Sequence, residues 1–317
     1  FICWKDGRSL RRWIWHQRRY IILVEALWLG LFLFDLFIRW NNPDLWHPSF
    51  GGEKPMDFSY FNAVLRSTSF PPFDPWFSGG YINYYYFGYV IVGVLTKMLG
   101  IVPAIAYNMI LPMLFAMTGM GAFCLAYNLV AVRVRTQSVR ALCESANRQS
   151  RTSAYPHLAG ISAATLMVLL GNLGQVDTIA SALKRAAADT SVVSLPVIGT
   201  VQRLAIGLYR ILFEGKNVHM SLGDWYWNAT RIIPHLQNES APITEFPLFT
   251  FLYADMHAHM IALPLTLLSL AWSLSVITGA QATRRWPERV VHWTIGGVVL
   301  GALGPTNTWD FPTYLGL

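Results

Sequence analysis

The sequence predicts an all-α fold: a polytopic integral membrane helical bundle of about seven spans with a long first outer loop. Composition is the first observation that predicts it. Of 317 residues, 54% are hydrophobic and 13% charged, where a soluble domain carries about 25% charge. Mean hydropathy is +0.37. The second is arrangement. The apolar residues fall into runs, several of them about 20 residues long, enough to cross ~30 Å of hydrocarbon. The third is charge placement. Basic residues gather in segments beside those runs, where they set orientation. The net charge of +7 therefore reports topology, and no nucleic-acid partner is expected. Cys3, Cys124 and Cys143 show no CxxC or paired spacing, which argues against a disulfide framework and a thiolate metal site.

Residues 1–19 form a basic N-terminal segment, with Lys5, Arg8, Arg11, Arg12, Arg18 and Arg19 among tryptophans. It reads as cytoplasmic and interface-hugging, and anionic membrane lipids are natural partners for it. Residues 20–317 read as one transmembrane domain. Its first span is Tyr20 to Trp40, with Glu25 and Asp35 expected near the wetted ends. The loop 41–80 follows and carries Asp44, Glu53, Asp57 and Asp74 against Lys54 and Arg66. With the basic start inside, this acidic loop lies outside. Glu53 and Asp57 are four apart, so a helical turn puts both carboxylates on one face. Such a pair can hold a divalent cation or supply a base. The plainer reading is a solvated turn with Asp57 at a helix start.

Tyr81 to Leu99 is the second apolar run, opened by Tyr84, Tyr85 and Tyr86, which suit an interfacial aromatic belt or a platform for a sugar ring. Ala104 to Val132 is the third, with Pro112 as a kink. A basic segment, 133–157, leads to a fourth run, Leu158 to Leu173, ending in GNLGQ. The region 174–256 is outer or interfacial. Within it Leu195 to Phe213 is either an interfacial helix or a poor span. Sequons stand at Asn228 and Asn238, and Arg231 can face a phosphate or snorkel at the interface. The span 260–279, a basic turn with Arg284, Arg285 and Arg289, and the run 290–303 complete the chain up to GPTNTWDFP. Either seven runs cross, or 81–99 is re-entrant and 195–213 lies on the surface. In both cases Glu53, Asp57, Asp255, His257, His259 and Asp310 share the outer compartment. The chain starts at Phe1 and stops inside an apolar stretch, so it reads as part of a longer protein.

The strongest chemistry lies in FPLFTFLYADMHAHMIALP, from Phe246 to Pro264. Asp255, His257 and His259 stand at the mouth of an apolar run. Ionisable groups there are costly without partners or a task. Their i, i+2, i+4 spacing puts both histidines on one side of a strand, or Asp255 and His259 on one face of a helix. One carboxylate and two imidazoles suit Zn²⁺ or Mn²⁺ better than Ca²⁺, with Mg²⁺ a further candidate among divalent metals. The plainer reading is three wetted residues marking a helix start.

GGEKPMDF, FDPW, GGYINYYYFGY, GNLGQ, WYWNATRIIP and ITEFPLFTFLYADMHAHMIALP together resemble the highly hydrophobic "YYY" membrane protein family of archaea and certain bacteria. The resemblance covers roughly residues 40 to 317, the N-terminal half or so of the usual family member. That family has been grouped by similarity with the GT-C glycosyltransferases, which take a sugar from a polyprenyl-phosphate lipid at the outer face. The resemblance implies a GT-C-like core whose acidic first outer loop carries the catalytic carboxylate, here Glu53 or Asp57. GT-C enzymes often carry further acceptor-binding domains, and none is visible in this sequence. On this reading Asp57 is the base and Glu53 assists it or holds a cation. Asp255, His257 and His259 ligate a metal or orient the phosphate. Tyr84, Tyr85, Tyr86, Arg231 and Asp310 bind substrate. The localisation implied is the plasma membrane, N-terminus cytoplasmic and active site outside. The alternatives are a metal-dependent hydrolase of lipid head groups and a non-catalytic subunit packed against other membrane subunits. The small residues Gly119, Gly121 and Ala122, beside Met117, hint weakly at the latter.

Overall fold

The computed structural model describes residues 7–46, 52–144, 154–170, 172–191, 193, 195–218, 220–221, 227–233, 242–279 and 285–317, without the side chains of 8, 9 and 134–144. Arg148, Arg151, Asn238 and Arg284 lie outside the described residues, as do the side chains of Arg135 and Arg140. The described residues are helical, joined by loops and one isolated bridge between Phe73 and Tyr81. In chain order the helices are α1 (Gly7–Asn41), α2 (Lys54–Arg66), α3 (Phe87–Leu99), α4 (Pro103–Glu144), α5 (Tyr155–Thr165), α6 (Leu173–Ala186), α7 (Pro196–Phe213), α8 (Pro247–Tyr253), α9 (Ala258–Ile277), α10 (Trp286–Thr306) and α11 (Phe311–Gly316).

Three described helical stretches are long and apolar enough to cross a membrane: Leu10–Asn41, Pro103–Arg133 and Ala258–Ile277. A fourth arises if Tyr155–Leu170 and Leu173–Ala186 count as one span. This is fewer than the seven apolar runs of the sequence, and the reasons are physical. α3 has 13 residues, a length of about 20 Å against ~30 Å of hydrocarbon. It starts only after Tyr86 and ends where Gly100 turns left-handed at φ 64°. α7 and α10 are long enough but not apolar enough along their length. α1 runs unbroken from Gly7 into the first span.

The chain forms two compact units, Phe1–Val168 with Phe251–Leu317, and Leu169–Thr250. In the first, α4 packs against α1, α5 and α9. Association of apolar helices rests on close van der Waals fit, so small residues mark the contacts. A β-carbon on Gly119 would stand 2.6 Å from Leu31 Cδ1 of α1, and one on Gly121 would stand 2.7 Å from Leu267 Cβ of α9. These glycines therefore serve packing within the chain. Phe115 meets Phe251 edge to face with centroids 5.1 Å apart. Asp35, expected to be wetted, is instead 1% exposed, as is Arg39 one turn on. Arg39 donates to Asn108 Oδ1 on α4 from Nε at 3.0 Å and Nη2 at 2.6 Å. Glu25 is exposed.

In the second unit, α6 and α7 pack together, with Gly207 so close to Leu183 that a β-carbon would meet its carbonyl oxygen at 2.1 Å. Arg210 pairs with Asp189 and donates to the Ala186 carbonyl at 3.2 Å. GNLGQ owes its asparagine to capping. Asn172 accepts from Gly174 N–H at 2.7 Å and donates to the Ala229 carbonyl at 2.8 Å.

Candidate functional site

Two loops of the first unit meet to form a carboxylate–imidazole cluster. The first is GEKPMD, from Gly52 to Asp57, which opens α2. Gly52 sits at φ 58°, a region that glycine enters without cost. Glu53 occupies the N-cap position, Pro55 lies in the first turn, and Asp57 N–H closes that turn on the Glu53 carbonyl at 3.0 Å. Proline suits this turn because its missing N–H has no helical partner there. The same turn points Asp57 inward, where it is 0% exposed. Its negative charge also suits the positive end of the helix dipole. The Tyr89 hydroxyl, from α3, donates to Asp57 Oδ1 at 2.7 Å.

The second loop is Ala254–His257, between α8 and α9. Ala254 is the one non-glycine described at positive φ, 65°, a strain of about 1–2 kcal/mol. Tyr107 of α4 holds the loop in place. Its hydroxyl accepts from Met256 N–H at 2.9 Å and donates to the Ala254 carbonyl at 3.4 Å. His257 N–H turns back to the Asp255 carbonyl at 2.8 Å, and His257 becomes the N-cap position of α9.

The loops meet through both backbone and side chains. Glu53 N–H donates to Asp255 Oδ2 at 3.0 Å. Lys54 Nζ, buried, donates to the Tyr253 carbonyl at 2.9 Å and lies 5.5 Å from the centre of the Tyr253 ring. His257 bridges the carboxylates, with Nε2 at 2.7 Å from Glu53 Oε2 and Nδ1 at 3.0 Å from Asp57 Oδ2. The latter contact is close but off-axis, so neither atom has a well-directed hydrogen bond. A β-carbon on Gly52 would stand 2.6 Å from Asp255 Oδ2, so glycine is required there for space as well as for conformation. Exposure separates the carboxylates: Asp57 is 0% and Asp255 7% exposed, whereas the Glu53 side chain is 60% exposed at the mouth.

Burial disfavours a charged His257, but the Asp57 contact and the charges of Asp57, Glu53 and Asp255 outweigh it and raise the ring to about 9. Burial also raises Asp255 to about 6, against the Glu53 N–H bond and with the help of the Asp57 charge. Lys54 is lowered by burial, with Asp255 opposing. Tyr84 is raised to about 12, by burial first and then by the negative charges of Asp57 and Glu53. That tyrosine therefore lies in the field of the cluster.

Of the residues the sequence singled out, the fold brings Glu53, Asp57, Asp255 and His257 together. Asp57, Asp255 and His257 each offer a metal-ligating atom, all within 4.8 Å of one another. His259 is not in that group. It lies in the first turn of α9, its ring 5.7 Å from that of His257. Tyr84 packs against Tyr60 and Tyr85, with centroids at 6.1 and 5.3 Å, while Tyr86 stacks on Phe70 at 5.9 Å. Asp310 accepts from Asn307 Nδ2 at 2.8 Å. Arg231 belongs to the other unit, where its guanidinium lies 4.4 Å above the Trp227 ring. Sequence reasoning missed Gly52, Lys54, Tyr89 and Tyr107. The tyrosines carried a signal, since a hydroxyl inside an apolar run needs a buried partner.

The chain belongs to the uncharacterized membrane protein family DUF2298, whose family profile matches residues 1–317. No curated protein and no solved structure is significantly similar to it.

Proposed function

We propose that this membrane protein is a glycosyltransferase-like enzyme that takes a sugar from a polyprenyl-phosphate donor at the outer face. The observation that carries the reading is the meeting of the acidic first loop with Asp255 and His257 beside apolar helices, with one carboxylate exposed and two buried. Sugar transfer needs a base for the acceptor hydroxyl. Glu53 is the carboxylate an acceptor can reach, so it takes that role in preference to Asp57. Asp57, fully buried against Tyr89 and His257, positions the imidazole. As the acceptor oxygen bonds the anomeric carbon, its proton passes to Glu53. The carbon–oxygen bond to phosphate breaks, and the electron pair leaves with the phosphate. That leaving group needs positive charge, supplied by protonated His257 or by a cation held among the same ligands. Tyr84, in the field of the carboxylates, is the residue assigned to contact a sugar, a role supported by its nearness to Asp57 and Glu53.

The test is transfer of radiolabelled sugar from polyprenyl-phosphate-sugar by the purified protein in liposomes, with native mass spectrometry for co-purifying lipid. Glu53→Gln is expected to cut the rate about 100-fold or more while the lipid still binds. Equal rates in Glu53→Gln, or no transfer by the unaltered protein with any polyprenyl-phosphate-sugar, would reject the reading. The trio of close ligand atoms also favours a metal-dependent hydrolase of the same head groups. Release of label to water without an acceptor would select it.

A further inference from the structure

We propose that Asp57, Asp255 and His257 bind one divalent transition-metal cation, Mn²⁺ or Zn²⁺, with positions left open for a substrate oxygen. The argument is a pattern repeated in all three residues: one polar atom is tied by a hydrogen bond, and the other is buried with no directed one, Asp57 Oδ2 and His257 Nδ1 facing each other as an ion pair at 3.0 Å. Asp57 Oδ1 accepts from the Tyr89 hydroxyl at 2.7 Å, and Oδ2 is buried with no hydrogen bond. Asp255 Oδ2 accepts from Glu53 N–H at 3.0 Å, and Oδ1 is buried with no hydrogen bond. His257 Nε2 is engaged by Glu53 Oε2 at 2.7 Å, and Nδ1 is buried with no directed hydrogen bond. One cation would engage all three of these buried atoms at once.

The spacing of one pair matches ligands on an ion, and the third ligand atom is close by. Atoms bound to one cation at about 2.1 Å lie about 3.0–3.4 Å from each other in octahedral or tetrahedral geometry. Asp57 Oδ2 and His257 Nδ1 are 3.0 Å apart, and the ligand atoms of all three residues lie within 4.8 Å of one another. The tied atoms are the supports a metal site uses. A ligating imidazole donates its other N–H to a carboxylate, here Glu53, and ligating carboxylates are themselves held by hydrogen bonds. An imidazole nitrogen with two carboxylate oxygens selects a transition metal over Ca²⁺ or Mg²⁺, which favour all-oxygen sets. Three protein ligands is also the number that leaves a catalytic metal an open position. The set differs from the histidine-pair site expected from local spacing, because Asp57 replaces His259.

The proposal is independent of the transfer reaction, so metal binding without sugar transfer would leave it standing. The test is Mn²⁺ titration of the purified, chelator-stripped full chain in detergent, followed by electron paramagnetic resonance. One Mn²⁺ per chain is expected, displaced by Zn²⁺, with a ¹⁴N modulation from one imidazole. That modulation disappears in His257→Gln and persists in His259→Gln. Tyr89→Phe, which removes only a support, is expected to weaken binding about 10-fold. Thermal melting of each stripped variant shows whether it is folded. Absence of stoichiometric Mn²⁺ in the unaltered chain overturns the proposal. So does bound Mn²⁺ without nitrogen coupling, or coupling lost in His259→Gln but kept in His257→Gln. The two measurements on the unaltered chain decide the matter even if a variant fails to fold.

Discussion

At the scale of single residues, His257 does most to tie the loops together. Its ring is raised from 6.5 to about 9 in the fold. A raised imidazole stabilises the fold fully below its unfolded value, and that stability is lost as pH climbs through the folded value. In chelator, the metal-free protein is therefore expected to lose stability between about pH 6.5 and 9, on the order of 3 kcal/mol. Asp255, raised from 3.8 to about 6, acts in the same direction lower down, since the folded state holds its proton longer. It removes stability between about pH 4 and 6. Melting temperature against pH measures both, and His257→Gln flattens the upper limb. A profile that rises from pH 6.5 to 9 would contradict the assignment. Gly52 offers a second test. Gly52→Ala combines positive φ with a contact at 2.6 Å to Asp255 Oδ2, whereas Gly79→Ala has φ 80° and nothing within 4 Å. The first is expected to cost about 3 kcal/mol and the second about 1 kcal/mol in thermal or denaturant unfolding.

At the scale of elements, glycines set how closely helices approach. α9 and α10 give the cleanest comparison, because adjacent glycines differ completely in surroundings. A β-carbon on Gly296 would meet the Trp272 ring at 2.1 Å, while Gly297 has nothing within 4 Å. Gly296→Ala is expected to destabilise the protein by about 1–3 kcal/mol. Gly297→Ala is expected to be neutral or stabilising by up to about 1 kcal/mol, because alanine favours helix. Detergent thermal melts of the two variants check this, and equal effects would reject the packing. The elements were legible in part. The first and third runs and the span at 260–279 read correctly because long apolar stretches leave little choice, whereas the fourth run counts as a span only if Tyr155–Leu170 and Leu173–Ala186 are joined across their break. α2 was hidden in a loop whose polar residues mask it, although the Glu53–Asp57 spacing pointed at a helical turn. Among the described residues, fewer helices than the seven runs are long and apolar, since α3 is apolar but only 13 residues long, the re-entrant alternative for 81–99 remaining open.

At the scale of the whole molecule, the membrane class was written in composition, and the family profile agrees with it. The four residues of the cluster were each visible as local motifs. Their pairing was not, because spacing along a chain fixes which residues share a helix face but says nothing about which distant loop they meet. Asp57 was read with Glu53 and His257 with His259, whereas the fold joins His257 to Glu53 and Asp57 together. Charge placement further predicts that this joined site faces outward. In a chain with its cysteines replaced by serine, Trp46→Cys is expected to react with an impermeant maleimide in intact cells. Trp286→Cys is expected to react only after the membrane is opened. Both side chains are exposed, at 66% and 76%, so accessibility within the fold does not confound the comparison. Labelling of both from one side would overturn the orientation.

Glu53 and His257 touch across 204 residues of chain. At a synthesis rate of about 5–20 residues per second, the first half of the cluster leaves the ribosome about 10–40 s before the second. During that interval Asp57 has neither its histidine nor the loop that covers it. Biogenesis therefore passes through an intermediate whose acidic loop is open to proteases and stray cations. A nascent chain arrested before residue 246 should be cut in that loop by added protease. One arrested beyond α9 should resist cutting there, so the time of maturation is set by the arrival of the later loop.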